Sequence, residues 1–267
     1  MKLRLLAVVA GLVAVAAFAA RATADPINVP ICNGPETIAL SGPYPGNLTV
    51  TGNAYVPDGT TLSVGGNLTV APGACLDAFT RGNVTVGGNL LVRKGAILGL
   101  GCDVTAIGPM LPCITPEEVA ANDFSFRTND VVNGNVIATG AYTMYITAAH
   151  VRGNLVSNGG GDPARPPSLS FPIKDTTVDG NLIVRGWQGA WMGVLRSTVG
   201  GNMIVSNNVG TRLGDDNQPD STEIVGNQVS GNLICMHNTP TARYGDAGAF
   251  PNTVGGRAIG ECTAVTG

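Results

Sequence analysis

Val178-Asp179-Gly180-Asn181-Leu182-Ile183-Val184 decides how this chain is read, because the phrase keeps returning. Val64-Gly65-Gly66-Asn67-Leu68-Thr69-Val70, Val86-Gly87-Gly88-Asn89-Leu90-Leu91-Val92 and Val199-Gly200-Gly201-Asn202-Met203-Ile204-Val205 repeat it closely. Looser copies stand at Gly46-Asn47, Gly134-Asn135-Val136-Ile137, Gly153-Asn154-Leu155-Val156 and Gly231-Asn232-Leu233-Ile234, eight in all. From asparagine to asparagine the steps are 20, 22, 46, 19, 27, 21 and 30 residues. A unit of about 20 residues, repeated with longer excursions, marks stacked structural repeats. One coil of a parallel β-solenoid has that length, and its short strands pair with those of the next coil ~4.8 Å away. The step of 46 fits two coils, one carrying an insertion. The expected fold is an all-β, right-handed parallel β-helix of about 8–10 coils, roughly 40–50 Å long.

The phrase has a physical reading. Glycine permits a positive φ or a close backbone approach at a sharp corner. Asparagine tolerates left-handed geometry and bonds nearby backbone groups, and stacked asparagines can bond to one another. The following Leu-x-Val puts alternate apolar residues on one face, as in Leu68 and Val70 or Leu182 and Val184, to fill the interior. The sequons at Asn47, Asn67 and Asn83 are better read as part of this repeat than as sugar acceptors.

Residues 1–24 read as a signal peptide: a basic start (Lys2, Arg4), an apolar stretch from Leu5 to Ala20, and a small-x-small ending at Ala22-Thr23-Ala24. That places a mature start near Asp25, implies secretion to the cell surface or beyond, and leaves no stable membrane insertion after cleavage. Without Lys2, Arg4 and Arg21 the chain carries 12 basic against 18 acidic residues, a net charge of −6. No basic cluster is visible, which argues against a nucleic-acid partner.

Six cysteines follow the expected cleavage point. An even count in an exported chain reads as disulfides, and six cysteines allow 15 pairings. Cys102 and Cys113 flank one short segment; Cys235 and Cys262 are the last two and would tie down the tail; Cys32 and Cys75 remain. Between Gly99 and Asp130 the repeat breaks. There Thr115-Pro116-Glu117-Glu118-Val119-Ala120-Ala121 has the cap, proline and early acids of a helix start, so one short helix is expected near residues 116–121. Cys75 is expected to stack over Ala96. Residues 25–238 would form the β-helix and residues 239–267, Pro- and Gly-rich and without the repeat, a C-terminal cap over the last coil.

Val-Gly-Gly-Asn-Leu-x-Val, the run Gly231-Asn232-Leu233-Ile234-Cys235-Met236-His237-Asn238-Thr239-Pro240 and the ending Pro251-Asn252-Thr253-Val254-Gly255-Gly256 with Gly260-Glu261-Cys262 resemble a group of exported bacterial right-handed β-helix repeat proteins without assigned activity. The resemblance implies the fold, export, and the pairings Cys235–Cys262 and Cys32–Cys75; it implies no reaction. The Gly-Asn spacing is also loosely similar to bactofilins, which polymerise end to end. Those lack signal peptides and cysteine staples, which argues against a cytoskeletal role.

Three excursions, Ser157 to Ser168, Arg185 to Trp191 and Ser206 to Ser221, fall at one phase and would project from one face. Trp187 and Trp191 lie in one of them, beside Gly186, Gly189 and Gly193, which would leave the indoles open to stack on sugar rings, with Arg165 and Arg185 nearby; packing is the competing reading. Asp215, Asp216 and Asp220 offer hard oxygen ligands for calcium, although the alternating spacing of a calcium loop is missing and a solvated loop is the plainer reading. No other cofactor is suggested. His150 and His237 stand apart, and no nucleophile elbow, phosphate loop or zinc motif is present. A repeated Thr-x-Thr face of the ice-binding kind fails after Thr49-Val50-Thr51. The expected function is a secreted, non-catalytic structural or surface-interaction β-helix with a polysaccharide or cell-surface glycan as partner. The alternative is a pectate-lyase-like or glycoside-hydrolase-like enzyme, an analogy of fold alone.

Overall fold

A computed structural model describes residues 32, 37–104, 113, 116–123, 125–162, 164, 170–213, 219–245 and 248–267. The expected signal peptide lies outside these. Three parallel sheets of eight, nine and nine strands run along one axis. The chain visits them in fixed order and then climbs one level. One coil has strands Ser170–Lys174, Thr177–Val178 and Leu182–Arg185; the next has Trp191–Leu195, Thr198–Val199 and Met203–Ser206. The parallel β-helix expected from the repeat is the fold, with nine levels in its longest sheets.

The Leu-x-Val strands build the core as their alternation demands. Leu68, Leu90, Val136, Leu155, Leu182, Met203 and Leu233 stack in register through the third sheet, all without solvent exposure. Burial of each such side chain is worth about 1.5–3 kcal/mol. The column two residues on runs Val70, Val92, Ala138, Ser157, Val184, Val205 and Cys235. Ser157 is the misfit: its hydroxyl is buried and has no hydrogen-bond partner.

All eight phrase asparagines form one ladder beside the third sheet. Asn47 Oδ1 accepts the Asn67 N–H at 2.8 Å. From Asn67 to Asn202 each Oδ1 accepts two bonds from the next coil, the backbone N–H at 2.7–2.9 Å and the side-chain N–H at 3.0–3.3 Å. Asn232 Oδ1 accepts the Arg257 N–H at 2.9 Å. The phrase glycine serves this ladder by being small. A Cβ on Gly66 would lie 2.3 Å from Asn47 Oδ1. The left-handed corners fall elsewhere, just past the third-sheet strands, as at Gly186 with φ 67° and Asn207 with φ 56°, and just past the first-sheet strands, as at Ala148 with φ 57° and Asp175 with φ 49°.

The step of 46 residues is one coil. Val136–Thr139 pairs directly with Leu90–Val92, and Asn135 bonds Asn89. The insertion leaves after the first-sheet strand Ile97–Leu100 and returns at Asp130 to start the second-sheet strand Asp130–Val132, so it adds chain without adding rise. The expected helix spans Pro116–Ala121. Arg81 holds it to the rod: its guanidinium bonds both Glu118 carboxylate oxygens at 2.7 and 2.9 Å, donates to the Cys113 carbonyl at 3.0 Å and lies 3.7 Å from the Phe126 ring centre.

Two more expectations change. Cys75 stacks over Ile97, one residue from the expected Ala96, because Leu76 pairs Leu98 in register. The tail does carry the repeat: Thr253–Val254 and Ala258–Gly260 extend the second and third sheets, and Arg243 bridges Glu223. Val254-Gly255-Gly256-Arg257-Ala258-Ile259 is a ninth phrase with arginine where asparagine stood. Beyond it a 3-10 helix, Glu261–Val265, buries Cys262 and Val265 against the end of the core. The three disulfides are Cys32–Cys75, Cys102–Cys113 and Cys235–Cys262, as expected. Closing 43 residues near one end and 27 at the other is worth about 3.5–4 kcal/mol each on chain-entropy grounds.

Asn154→Ala strips the Asn181 N–H of its acceptor in the middle of the ladder and is expected to lower unfolding free energy by about 1–3 kcal/mol. Asn47→Ala, at the exposed end where water substitutes, should lose less than about 1 kcal/mol. Ser157→Ala should raise stability by up to about 1–3 kcal/mol, since it removes a buried hydroxyl without a partner. Chemical denaturation of the three variants measures all of this.

Candidate functional site

The excursions after the third-sheet strands do meet. Gly161 bridges Gln188, Gln188–Gly189 pairs with Val209–Gly210, and Val209 bridges Thr239, so they form a short fourth parallel ladder at the corner between third and first sheets. What they bring together is packing. Trp187 is fully buried in the main core, its ring centre 5.5 Å from that of Phe171, and its Nε1–H donates to the Tyr142 carbonyl at 3.2 Å. Trp191 lies on the other side of the first sheet, only 6% exposed, packed with Leu195, Val225 and Tyr244. Its Nε1–H donates to Glu223 Oε1 at 2.9 Å, and the Lys174 ammonium sits 5.1 Å from the ring centre, within cation–π reach.

The sugar-stacking role expected for Trp187 and Trp191 is therefore corrected: neither indole presents a face to solvent. The glycines beside them act opposite to expectation. A Cβ on Gly189 would fall 2.2 Å from Trp187 Cη2, and one on Gly193 would fall 2.6 Å from Trp191 Cη2. Each Trp-x-Gly lets the ring lie down over the glycine two residues along, and this closes the site that small neighbours were expected to open.

Of the other candidates, only Arg185 and Asp220 are among the described residues. Arg185 is exposed at the end of its third-sheet strand, in register with Asn158 and Ser206. Arg165, Asp215 and Asp216 lie outside the described residues. Asp220 is 4% exposed, and its carboxylate lies 3.1 Å from Arg212 Nε, so the nearest cation to it is a side chain of the protein. Among the described residues no three His, Cys, Asp or Glu side chains gather where they could hold a metal ion. His150 pairs with Asp179 on the surface at 2.9 Å. Burial raises the Tyr145 phenol, which packs against Phe79 at 6.0 Å between ring centres. No helix of the described residues is long and apolar enough to cross a membrane.

Two further ladders escaped the sequence reading. At the third-to-first corner, the Trp187 N–H donates to Asn208 Oδ1 at 3.0 Å, Asn208 Nδ2 donates to Asn238 Oδ1 at 3.0 Å, and Asn238 donates from N and Nδ2 to the two oxygens of Glu261 at 2.9 and 2.8 Å. At the first-to-second corner, the Ser197 N–H donates to Asn227 Oδ1 at 2.9 Å and the Asn227 N–H to Asn252 Oδ1 at 3.0 Å. A signal existed: Asn208 and Asn238 each follow the last core residue of their strands, Val205 and Cys235, by three, and Thr176, Ser197, Asn227 and Asn252 each precede the phrase valine by two.

Among the described residues, the third sheet presents a regular aliphatic outer face, while the outward column of the second sheet is mostly polar, with Thr85, His150, Thr177, Thr198, Gln228 and Thr253. Between the core columns of the third sheet, Leu91, Ile137, Val156, Ile183, Ile204, Ile234 and Ile259 stack outward in register, each partly exposed. The asparagine ladder flanks them on one side. Arg93, Thr139, Asn158, Arg185, Ser206 and Met236 flank them on the other, with no carboxylate among them.

Gly193→Ala should cost about 1–3 kcal/mol by pushing Trp191 off the sheet. The red-shifted tryptophan emission that accompanies an exposed indole should appear in this variant. An unshifted spectrum with unchanged stability would contradict the packing described here.

Compared with known proteins, the chain matches no family model, no curated protein and no solved structure.

Proposed function

We propose that the protein is a secreted, non-catalytic structural β-helix that packs side by side with a second copy of itself. The observation that carries this reading is the outer face of the third sheet, where an unbroken aliphatic column runs beside an unbroken amide ladder. Nine levels at ~4.8 Å, the first two bearing Thr49 and Thr69 and the other seven aliphatic, and three outward columns make a face of roughly 40 by 14 Å, or about 1,100–1,200 Å² buried in total between two copies. That reaches the low end of specific interfaces. Charge favours one arrangement. A two-fold axis along the rod sets Arg93 and Arg185 opposite the partner's neutral asparagines. An axis across the rod, centred on that face, would bring arginines toward arginines.

Export is supported by the basic-apolar-small pattern of residues 1–24 and by three disulfides, which persist in oxidising compartments. A non-catalytic role is supported by the partners that the chemically promising side chains hold: Trp191 bonds Glu223, Glu261 bonds Asn238, and Asp220 forms an ion pair with Arg212. Stacking of a sugar ring on Trp187 or Trp191 would need an open indole face, and both rings are buried.

Sedimentation velocity at roughly 100 µM should show a dimer. The double substitution Ile183→Asp/Ile204→Asp should leave a monomer with an unchanged circular dichroism spectrum. A wild-type monomer, or a dimer indifferent to these changes, would sink the pairing. Chain cleavage of any polysaccharide in a panel, with or without calcium, would replace the non-catalytic reading with the lyase or hydrolase one.

A further inference from the structure

The corner where the insertion rejoins the rod carries a buried carboxyl group. Asp130 is 1% exposed, its Oδ1 accepts the Val84 N–H at 2.6 Å, and its Oδ2 has no hydrogen-bond partner. It stands two residues before Val132, as Ser197, Asn227 and Asn252 stand two before Val199, Val229 and Val254. Asp130 thus occupies the position of the first-to-second corner ladder, and it bonds as that ladder does. The N–H of one coil donates to a side-chain oxygen of the next: Val84 to Asp130, Ser197 to Asn227, Asn227 to Asn252.

The difference lies in the second polar atom. In the asparagines it is a donor: Asn227 Nδ2 bonds the Val194 carbonyl at 2.8 Å, and Asn252 Nδ2 bonds the Ile224 carbonyl at 2.7 Å. In Asp130 that atom is an oxygen with nothing to accept. A Cβ on Gly101, where the insertion leaves, would stand only 3.1 Å from it. A proton on Oδ2 would turn it into a donor, as the amide is.

We propose that Asp130 is a proton-operated latch at the root of the insertion. Protonated, it takes the asparagine's part in the corner ladder and the returning chain is closed; ionised, it seals an unpaired charge under the corner and the insertion's return loosens.

The neighbouring elements do not offset that charge. Strand Asn83–Val86 brings no titratable side chain. Strand Ala149–Val151 brings His150, which pairs with Asp179 on the surface. Asp103 and Arg127, on the two limbs of the insertion, face each other at 3.5 Å, and Arg81 is held by Glu118. On the first sheet, Asp77 accepts from the Phe79 N–H, and Tyr145 packs on Phe79. Burial of the carboxylate pushes Asp130 up to about 6, against the weaker pull of the Thr128 hydroxyl and the Val84 amide. The ordinary value is 3.8, so the folded corner binds the proton more tightly than the open one. Stabilisation is full below the ordinary value, falls as pH rises toward the folded value, and is gone above it. Two units correspond to about a 100-fold change in the opening equilibrium.

Hydrogen exchange of the mature protein, corrected for intrinsic rates, tests this at residues 84–86 and 125–132. Opening should rise by up to about 100-fold between roughly pH 4 and 7.5 in the wild type. Asp130→Asn should flatten the profile and hold opening at pH 7.5 to the wild-type level at pH 4. A wild type without pH dependence, or an Asp130→Asn variant that keeps the wild-type profile, overturns the latch. Should that variant not fold, the carboxyl carbon of Asp130 in the wild type decides by NMR titration: a midpoint near 6 supports the proposal, and one at or below 4 overturns it.

Discussion

A side-chain carbonyl that accepts the backbone N–H of the residue one coil away is the interaction on which this rod depends. At the bend beside the third sheet the backbone turns out of its ladder, and the amide there needs a partner that strand pairing cannot give. Asparagine supplies the oxygen, and its own N–H bonds the same column, so each residue fixes two neighbours at once. The bond forms only where the preceding residue leaves space for the oxygen, and that accounts for the glycine before each asparagine from Asn67 to Asn232. Register then follows, because a coil shifted by one residue would lose both the amide bond and the burial of its Leu-x-Val pair.

The ladders run in opposite senses, and the C-terminal tail answers both. Beside the third sheet, each oxygen is filled by the following coil, so the final oxygen on Asn232 needs a donor, and the Arg257 N–H provides it. At the two other corners, each backbone donor points toward the following coil, so the last donors need acceptors. The Glu261 carboxylate takes both N–H groups of Asn238, and the Val265 carbonyl takes Asn252 Nδ2. Arginine at the ninth phrase brings a backbone donor but no side-chain oxygen, so the asparagine ladder ends there. Glu261 and the short helix after it, tied by Cys235–Cys262, close the same end from the core side.

Much of the fold was legible because its repeat is exact in chemistry. Asn67, Asn89, Asn181 and Asn202 announce one column, and Cys102–Cys113 and Cys235–Cys262 announce local closures. The candidate site was not legible. A tryptophan with glycine two residues later reads equally as an exposed ring in open surroundings or as a ring laid flat over a gap. Strand alternation decides between these only when register is known: Trp187 turns into the core, while Trp191 lies outward beneath Tyr244, a residue 53 positions later. The 46-residue step misled for a related reason, since length along the chain carries no information about rise along the axis.

The amino-acid sequence by itself determined the coil, the interior columns, the asparagine ladder and the local pairings Cys102–Cys113 and Cys235–Cys262, because each rests on a local pattern or a period that neighbouring coils repeat; Cys32–Cys75 followed only as the pair left over. Only the tertiary structure decided which side of the wall each indole takes, that the tail is a ninth coil, and that Asp130 stands in an asparagine's place with one oxygen unpartnered. Those outcomes depend on contacts between segments far apart in the chain, where the packing of one residue is set by a space that another leaves.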